Sequence, residues 1–301
     1  MKPHGSARRY LTVLAALTLA TAVCAAALAQ RRPEQGSYRA IHNIPYDGRF
    51  TFVRVRYTPA PGSYWSWYGP SWAHGFPIAE HNLNRIMREI CLLDLHVDDI
   101  NVLTFDDPEI FKYPVAYIIE VGWWTLTDTE AAGLRSYLQK GGFLIVDDFK
   151  VEGWRGMRGG GWEPFEANVK RVLPEAKFFE MDPADPVFHS FFEIKTLENF
   201  PQAYVGGRPI FRGVYEDNDP RKRLLMIINY NTDISQYWEW SGQGLRPFDD
   251  TNQAYKLGVN YIIYGMTHSL LYRPSPTPFS IFPNMWPPNL PCCQVPVYRS
   301  P

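Results

Sequence analysis

The sequence predicts an α/β domain: a mostly parallel sheet with helices on both faces, a β-rich insertion and an extended Pro-rich tail. Three observations predict it. Apolar β-prone runs alternate with amphipathic helical patterns from Phe50 to Met266, the order that builds a parallel sheet covered on both sides. Val115–Val121 (VAYIIEV) and Phe143–Val146 are continuous apolar runs of strand length, as fully buried strands are. Between them, Thr127 and Glu130 form a capping-box pattern, Leu134, Tyr137 and Leu138 make the apolar stripe, and Gly141 closes the helix just before Phe143.

The elements follow in order. Phe50–Tyr57 reads as the first strand, with Phe52, Val53 and Val55 apolar and Arg54 and Arg56 turned the other way. A helix begins near Pro77, with Ala79, Leu83, Ile86, Met87, Ile90 and Cys91 on its apolar pattern. Val97–Phe105 contains a second short strand, and VAYIIEV follows. After the capping-box helix, Phe143–Val146 ends in Asp147-Asp148. A helix spans about Pro164–Leu173, Leu224–Asn229 is another strand, and Thr251–Met266 is the last helix. Between Phe178 and Tyr215 the pattern weakens around Asp182-Pro183 and Asp185-Pro186, which marks an insertion at the sheet edge.

The flanks differ in character. Lys2, Arg8 and Arg9 precede the apolar run Leu11–Ala22, and Ala27-Leu28-Ala29 has a small-x-small pattern. Residues 1–29 therefore read as a signal peptide, and the mature chain is expected to start at Gln30 in the periplasm or outside the cell. Residues 30–49 read as an extended arm, 50–273 as the α/β domain and 274–301 as a Pro-rich tail. The formal net charge of −1 comes without basic clusters, which argues against nucleic acid as a partner. No second apolar run has the length of a membrane span. Of the four cysteines, Cys24 falls in the signal segment, and Cys91 reads as a small buried hydrophobe. Cys292 and Cys293 are adjacent in the tail, where a strained vicinal bridge or bonds to other chains are open.

Open parallel sheets bind ligands at the carboxyl ends of their strands, where loops and helix N-termini meet. Of the ten tryptophans all but Trp286 follow strands: Trp65, Trp67 and Trp72; Trp123 and Trp124; Trp154 and Trp162; Trp238 and Trp240. They predict an aromatic-walled cleft; the structural alternative is that long loops pack on one another through these rings. Acidic groups meet at the same edge: Glu120, Asp147, Asp148, Asp233 and Glu239. Such carboxylates can hold Mg²⁺ or Ca²⁺ or act as acid and base. Alternatively Asp148 caps a turn and Asp147 pairs with Arg155 or Arg158. Gly153–Trp162 reads as a flap that offers these arginines to an anion; it is neither a Walker loop nor a dinucleotide fingerprint. There is no G-x-S-x-G elbow.

Several segments together carry a resemblance: FVRVRY (Phe52–Tyr57), Trp72–Glu80, Phe111–Ile118, GGFLIVDDF (Gly141–Phe149) and GVNYIIY (Gly258–Tyr264). From Phe50 to Met266 the chain resembles the bacterial domain-of-unknown-function 4159 family. The resemblance implies a class I glutamine-amidotransferase-like fold, without that fold's nucleophile, and it transfers no activity. It also implies an Asp ahead of the aromatic-Pro step, where this chain has His74-Gly75-Phe76-Pro77. The loss of that acid weakens a metal-site reading, whereas Asp147, Asp148, Asp233 and Glu239 match by position.

The expected function is ligand or partner binding at an aromatic- and acid-lined strand edge. The ligand-binding candidates are Asp147, Asp148, Trp123, Trp124, Trp154, Arg155, Asp233, Trp238 and Glu239. The partner is a small molecule, a glycan or a protein. The competing expectation is a carboxylate- or metal-dependent hydrolase, including one acting on glycans. No motif requires a cofactor, and a divalent cation is the single candidate. Convergence of Asp147, Asp148, Asp233 and His189 within about 6 Å, the reach of charge coupling, would favour the hydrolase.

Overall fold

The computed structural model describes residues 41–61, 63, 69–149, 161–198, 200 and 207–269. The signal segment, the first part of the arm, most of the glycine-rich stretch and the tail lie outside them. The strands are β1 (Phe50–Val55), β2 (Leu95–Leu103), β3 (Val115–Ile119), β4 (Phe143–Phe149), β5 (Phe179–Glu180), β6 (Ile210–Tyr215) and β7 (Leu224–Tyr230). The helices are α1 (Ile78–Ile90), α2 (Asp128–Gln139), α3 (Trp162–Val172), α4 (Ile234–Glu239) and α5 (Phe248–His268). One seven-stranded sheet has the order β2-β1-β3-β4-β7-β6-β5. The first five strands in that order are parallel. The segment that broke the βα pattern supplies β6 and β5, which pair antiparallel at the edge.

Apolar side chains divide the sheet into two faces. Phe52, Tyr117, Ile145 and Ile227 pack under α1, α4 and α5, whereas Val53, Ile118, Val146 and Ile228 pack under α2 and α3. This double cover explains why β3 and the first five residues of β7, Leu224 to Ile228, form continuous apolar runs. Arg54 does turn away from Val53 and Val55, and on that second face it is fully buried beneath α1. Neither face meets water, so the charge is buried with a counter-charge. Arg54 Nε donates to Glu80 Oε1 at 2.6 Å, Nη1 donates to the Trp72 carbonyl at 3.3 Å, and the guanidinium lies 4.8 Å from the Tyr117 ring centre.

Local signals placed most boundaries. Thr127 and Glu130 form the reciprocal capping box on α2. α3 starts at Trp162, ahead of Pro164, because proline is tolerated in a first turn where the N–H has no partner. α5 runs beside α4 because Gly258 has no side chain: a Cβ there would lie 2.5 Å from Trp238 Cζ2. The described end of the arm covers the open edge of β2. Asn43 exchanges two hydrogen bonds with the backbone of Val102, and Asn101 exchanges two with Ile44, so the edge offers fewer free backbone groups. Among the described residues no helix is long and apolar enough to cross a membrane.

Sheet growth reverses at β1, which has β2 on one side and β3 on the other. The crevice outside the carboxyl ends of β1 and β3 is therefore the topological switch point.

Candidate functional site at the carboxyl edge of the sheet

The strand ends are pinned by one tyrosine. Tyr57, just past β1, donates its hydroxyl to the carbonyls of Ile119 (3.0 Å) and Glu120 (2.8 Å). Beyond this point the backbone leaves strand geometry at neighbouring strand ends. Glu120, Asp148 and Asn231 have φ of 51°, 50° and 57°, left-handed values that cost non-glycine residues of order 1 kcal/mol each. The Glu120 N–H bonds the Asp148 carbonyl at 2.9 Å, and the Asn231 N–H bonds the Phe149 carbonyl at 2.8 Å. These turns re-aim side chains that a regular strand would send under the helices.

Three of the groups converge. His74, from the connection after β1, has Nδ1 2.8 Å from Asp148 Oδ2 and 3.7 Å from Glu120 Oε1. One donor atom each from His74, Asp148 and Asp233 lies within 4.8 Å of the others. Asp148, Asp233 and Glu120 are buried, and the His74 side chain is 16 % exposed. Gly75 next to it has φ +68°, and a Cβ there would come 3.3 Å from Glu239 Oε2, so the backbone turns beside the Glu239 carboxylate. Asp233 is the N-cap of α4; its Oδ1 accepts from Ser235 Oγ and from the Gln236 N–H, both at 2.9 Å.

Asp147 does different work. It turns to the opposite side of β4 and accepts from Tyr117 Oη (2.7 Å), Asn229 Nδ2 (3.1 Å) and the N–H groups of Ile234 (3.3 Å) and Ser235 (3.0 Å). It thereby joins β3, β4 and β7 to the start of α4, where the helix dipole favours a negative charge. Its partners are these groups; Arg155 and Arg158 lie outside the described residues.

Burial dominates the electrostatics. It pushes Asp233 up to about 8, with the Asp148 charge adding to the effect. It pushes Asp147 up to about 6, against the pull of the Tyr117 hydrogen bond. Burial also raises Glu239. For His74 burial opposes protonation, but the hydrogen bond and charge of Asp148, then Asp233 and Glu120, outweigh it and hold the imidazole up at about 10. The cluster stabilises positive charge on His74, whose Nδ1 lies within hydrogen-bond distance of Asp148 Oδ2.

The aromatic wall is not assembled as expected. Trp124 is buried on the α3 side against Phe105 and Phe165. Trp238 is buried on the opposite side against Tyr117, with its Nε1 donating to the Ala254 carbonyl at 3.0 Å. Their size explains the correction: an indole in a short connection reaches the core and is more stable there than in water. Trp123 is half-buried in the short 3₁₀ turn after Glu120. Trp65, Trp67, Trp154 and Arg155 lie outside the described residues. His189 does not join the acids; its Nε2 meets the Pro183 carbonyl, and its Nδ1 is 4.0 Å from Glu193.

Sequence reasoning missed His74 as a site residue. The signal was present, because the step His74-Gly75-Phe76-Pro77 is where the resemblance had placed an acid. An imidazole stands there, among carboxylates. One family model, described as a domain of unknown function (DUF4159), matches residues 51–266. No curated protein matches the chain.

Proposed function

The chain belongs to the DUF4159 family, and from that premise we propose that it is an exported ligand-binding domain whose carboxyl-edge site takes a positively charged group. The observation that carries this reading is the convergence of His74, Asp148 and Asp233 within 4.8 Å at strand ends. Glu120 and Glu239 reinforce it, since both lie close enough to act electrostatically on His74 or Asp148. A buried carboxylate is costly until a cation or hydrogen-bond donors compensate it. Neutral glycans stacked on tryptophan fit less well, because Trp124 and Trp238 are part of the core. The mostly parallel seven-stranded sheet is compatible with a class I glutamine-amidotransferase-like fold that lacks that fold's nucleophile. Cys91, the described cysteine, caps the far end of α1, away from the strand ends.

A thermal-shift screen tests the reading, with divalent ions, spermidine, glucosamine and neutral oligosaccharides as probes. Cationic probes should raise the melting temperature of the wild type and leave Asp148→Asn unmoved. Stabilisation by neutral oligosaccharides alone would defeat it. Export rests on the basic start, the apolar run and Ala27-Leu28-Ala29. Intact-mass analysis of the product should show a chain beginning at Gln30.

A further inference from the structure

We propose that the positively charged group bound at this edge is a divalent transition-metal ion held by His74, Asp148 and Asp233. The inference rests on the cation-binding reading above and narrows it to one ligand chemistry.

Geometry comes first. Two donors bound to one Zn²⁺-like ion at about 2.1 Å each lie at most about 4.2 Å apart. The donor atoms of the three residues are already within 4.8 Å of one another, so side-chain movements of about 1 Å bring all three onto one centre. They arrive from separate elements: the connection after β1, the end of β4 and the N-cap of α4. That arrangement holds the donors in place before any ion binds.

Asp233 supplies an independent pointer. Its side chain is 2 % exposed. Its Oδ1 takes both capping hydrogen bonds, and among the described residues its Oδ2 takes none. An oxygen of so buried a side chain, with the His74 charge acting on it, gains from an approaching cation once its proton leaves. The neighbouring imidazole and the Asp148 carboxylate indicate from which side.

Donor type selects the ion. Ca²⁺ takes six or more oxygens, and Mg²⁺ keeps most of its waters. An imidazole with two carboxylates suits Zn²⁺, Mn²⁺, Fe²⁺ or Co²⁺. Three protein donors also leave positions for water or a ligand oxygen. His74 is decisive, because the acid implied by the resemblance would have given an all-oxygen set.

The test uses the chain stripped with chelator and titrated calorimetrically with Zn²⁺, Mn²⁺, Co²⁺, Mg²⁺ and Ca²⁺. One transition-metal ion should bind per chain, at least about 100-fold more tightly than Mg²⁺ or Ca²⁺. Co²⁺ should develop visible absorption bands that His74→Ala abolishes. Asp233→Ser keeps an N-capping oxygen, so it should fold and yet bind Zn²⁺ at least about 100-fold more weakly, beyond the usual effect of an outer-shell change. No heat with any transition metal, preference for Ca²⁺ or Mg²⁺, or wild-type affinity in Asp233→Ser would each overturn the proposal. If spermidine still stabilises the wild type but not Asp148→Asn while metals fail, the metal assignment falls and the cation-binding reading stands. If neither binds, both fall.

Discussion

Replacing Glu80 by Gln removes the counter-charge of Arg54 while keeping shape and one acceptor. Both side chains are completely buried. Arg54 also holds the Trp72 carbonyl at 3.3 Å, two residues ahead of His74, so the pair supports the connection that delivers the imidazole. Breaking a buried ion pair from one side costs about 3–5 kcal/mol, because the remaining charge is left uncompensated. For a domain of this size, each kcal/mol lowers the melting temperature by about 2–4 °C, which gives a fall of about 6–20 °C. The pair is imperfect: among the described residues Glu80 Oε2 has no hydrogen-bond partner, and Arg54 Nη2 meets Glu80 Oε1 without hydrogen-bond geometry. Replacing both residues by Met should therefore recover all but about 1–2 kcal/mol, since apolar side chains of similar volume avoid the desolvation cost. Urea denaturation of wild type, Glu80→Gln, Arg54→Met and the double variant closes the cycle, with m-values required to agree. A loss below about 1 kcal/mol in Glu80→Gln, or a double variant worse than both singles, would refute the reasoning.

Gly258→Ala should destabilise by about 1–3 kcal/mol despite alanine's better helix propensity, because the new methyl would meet Trp238 Cζ2 at 2.5 Å; unchanged urea stability would contradict it. Burial pushes the Cys91 thiol up to about 11, so alkylation near pH 8 should be slow in the folded protein and fast in denaturant. Rapid labelling of the native state would show that the α1 end is open. Stability of the metal-free protein should fall as pH rises from about 5 to about 9. Asp147 and Asp233 have folded values raised to about 6 and about 8, so the unfolded chain releases those protons first. His74, raised to about 10, adds stability that is complete below about 6.5 and lost as pH climbs through its folded value, a slope of the same sign. A melting temperature that climbs over this range would show that other groups dominate.

The capping box at Thr127 and the apolar runs of β3 and β4 were legible because caps and continuous burial leave local signatures. Asp148 and Asp233 were legible as strand-end acids for a similar reason. In a parallel sheet the end of each apolar run marks where the chain enters the site. The burial of Arg54 was not legible, because alternation along a strand does not reveal whether the second face meets water or a helix. α4 was missed because six residues hold too little periodicity to stand out from a connection. The tryptophans were assigned to the cleft from position alone, whereas an indole after a strand can as well turn back into the core.

The sequence by itself determined the βα alternation, the family and the edge on which acids collect, since all three depend on local pattern and chain order. Only the tertiary structure decided that Asp147 binds α4 while Asp148 meets His74. It also decided that Trp124 and Trp238 belong to the core on opposite faces of the sheet. His74 and Asp148 are separated by 74 residues in the chain. Their pairing depends on the left-handed turn at Asp148 and on the path of the connection after β1. Those features come from packing among elements far apart in sequence, and no local spacing encodes them.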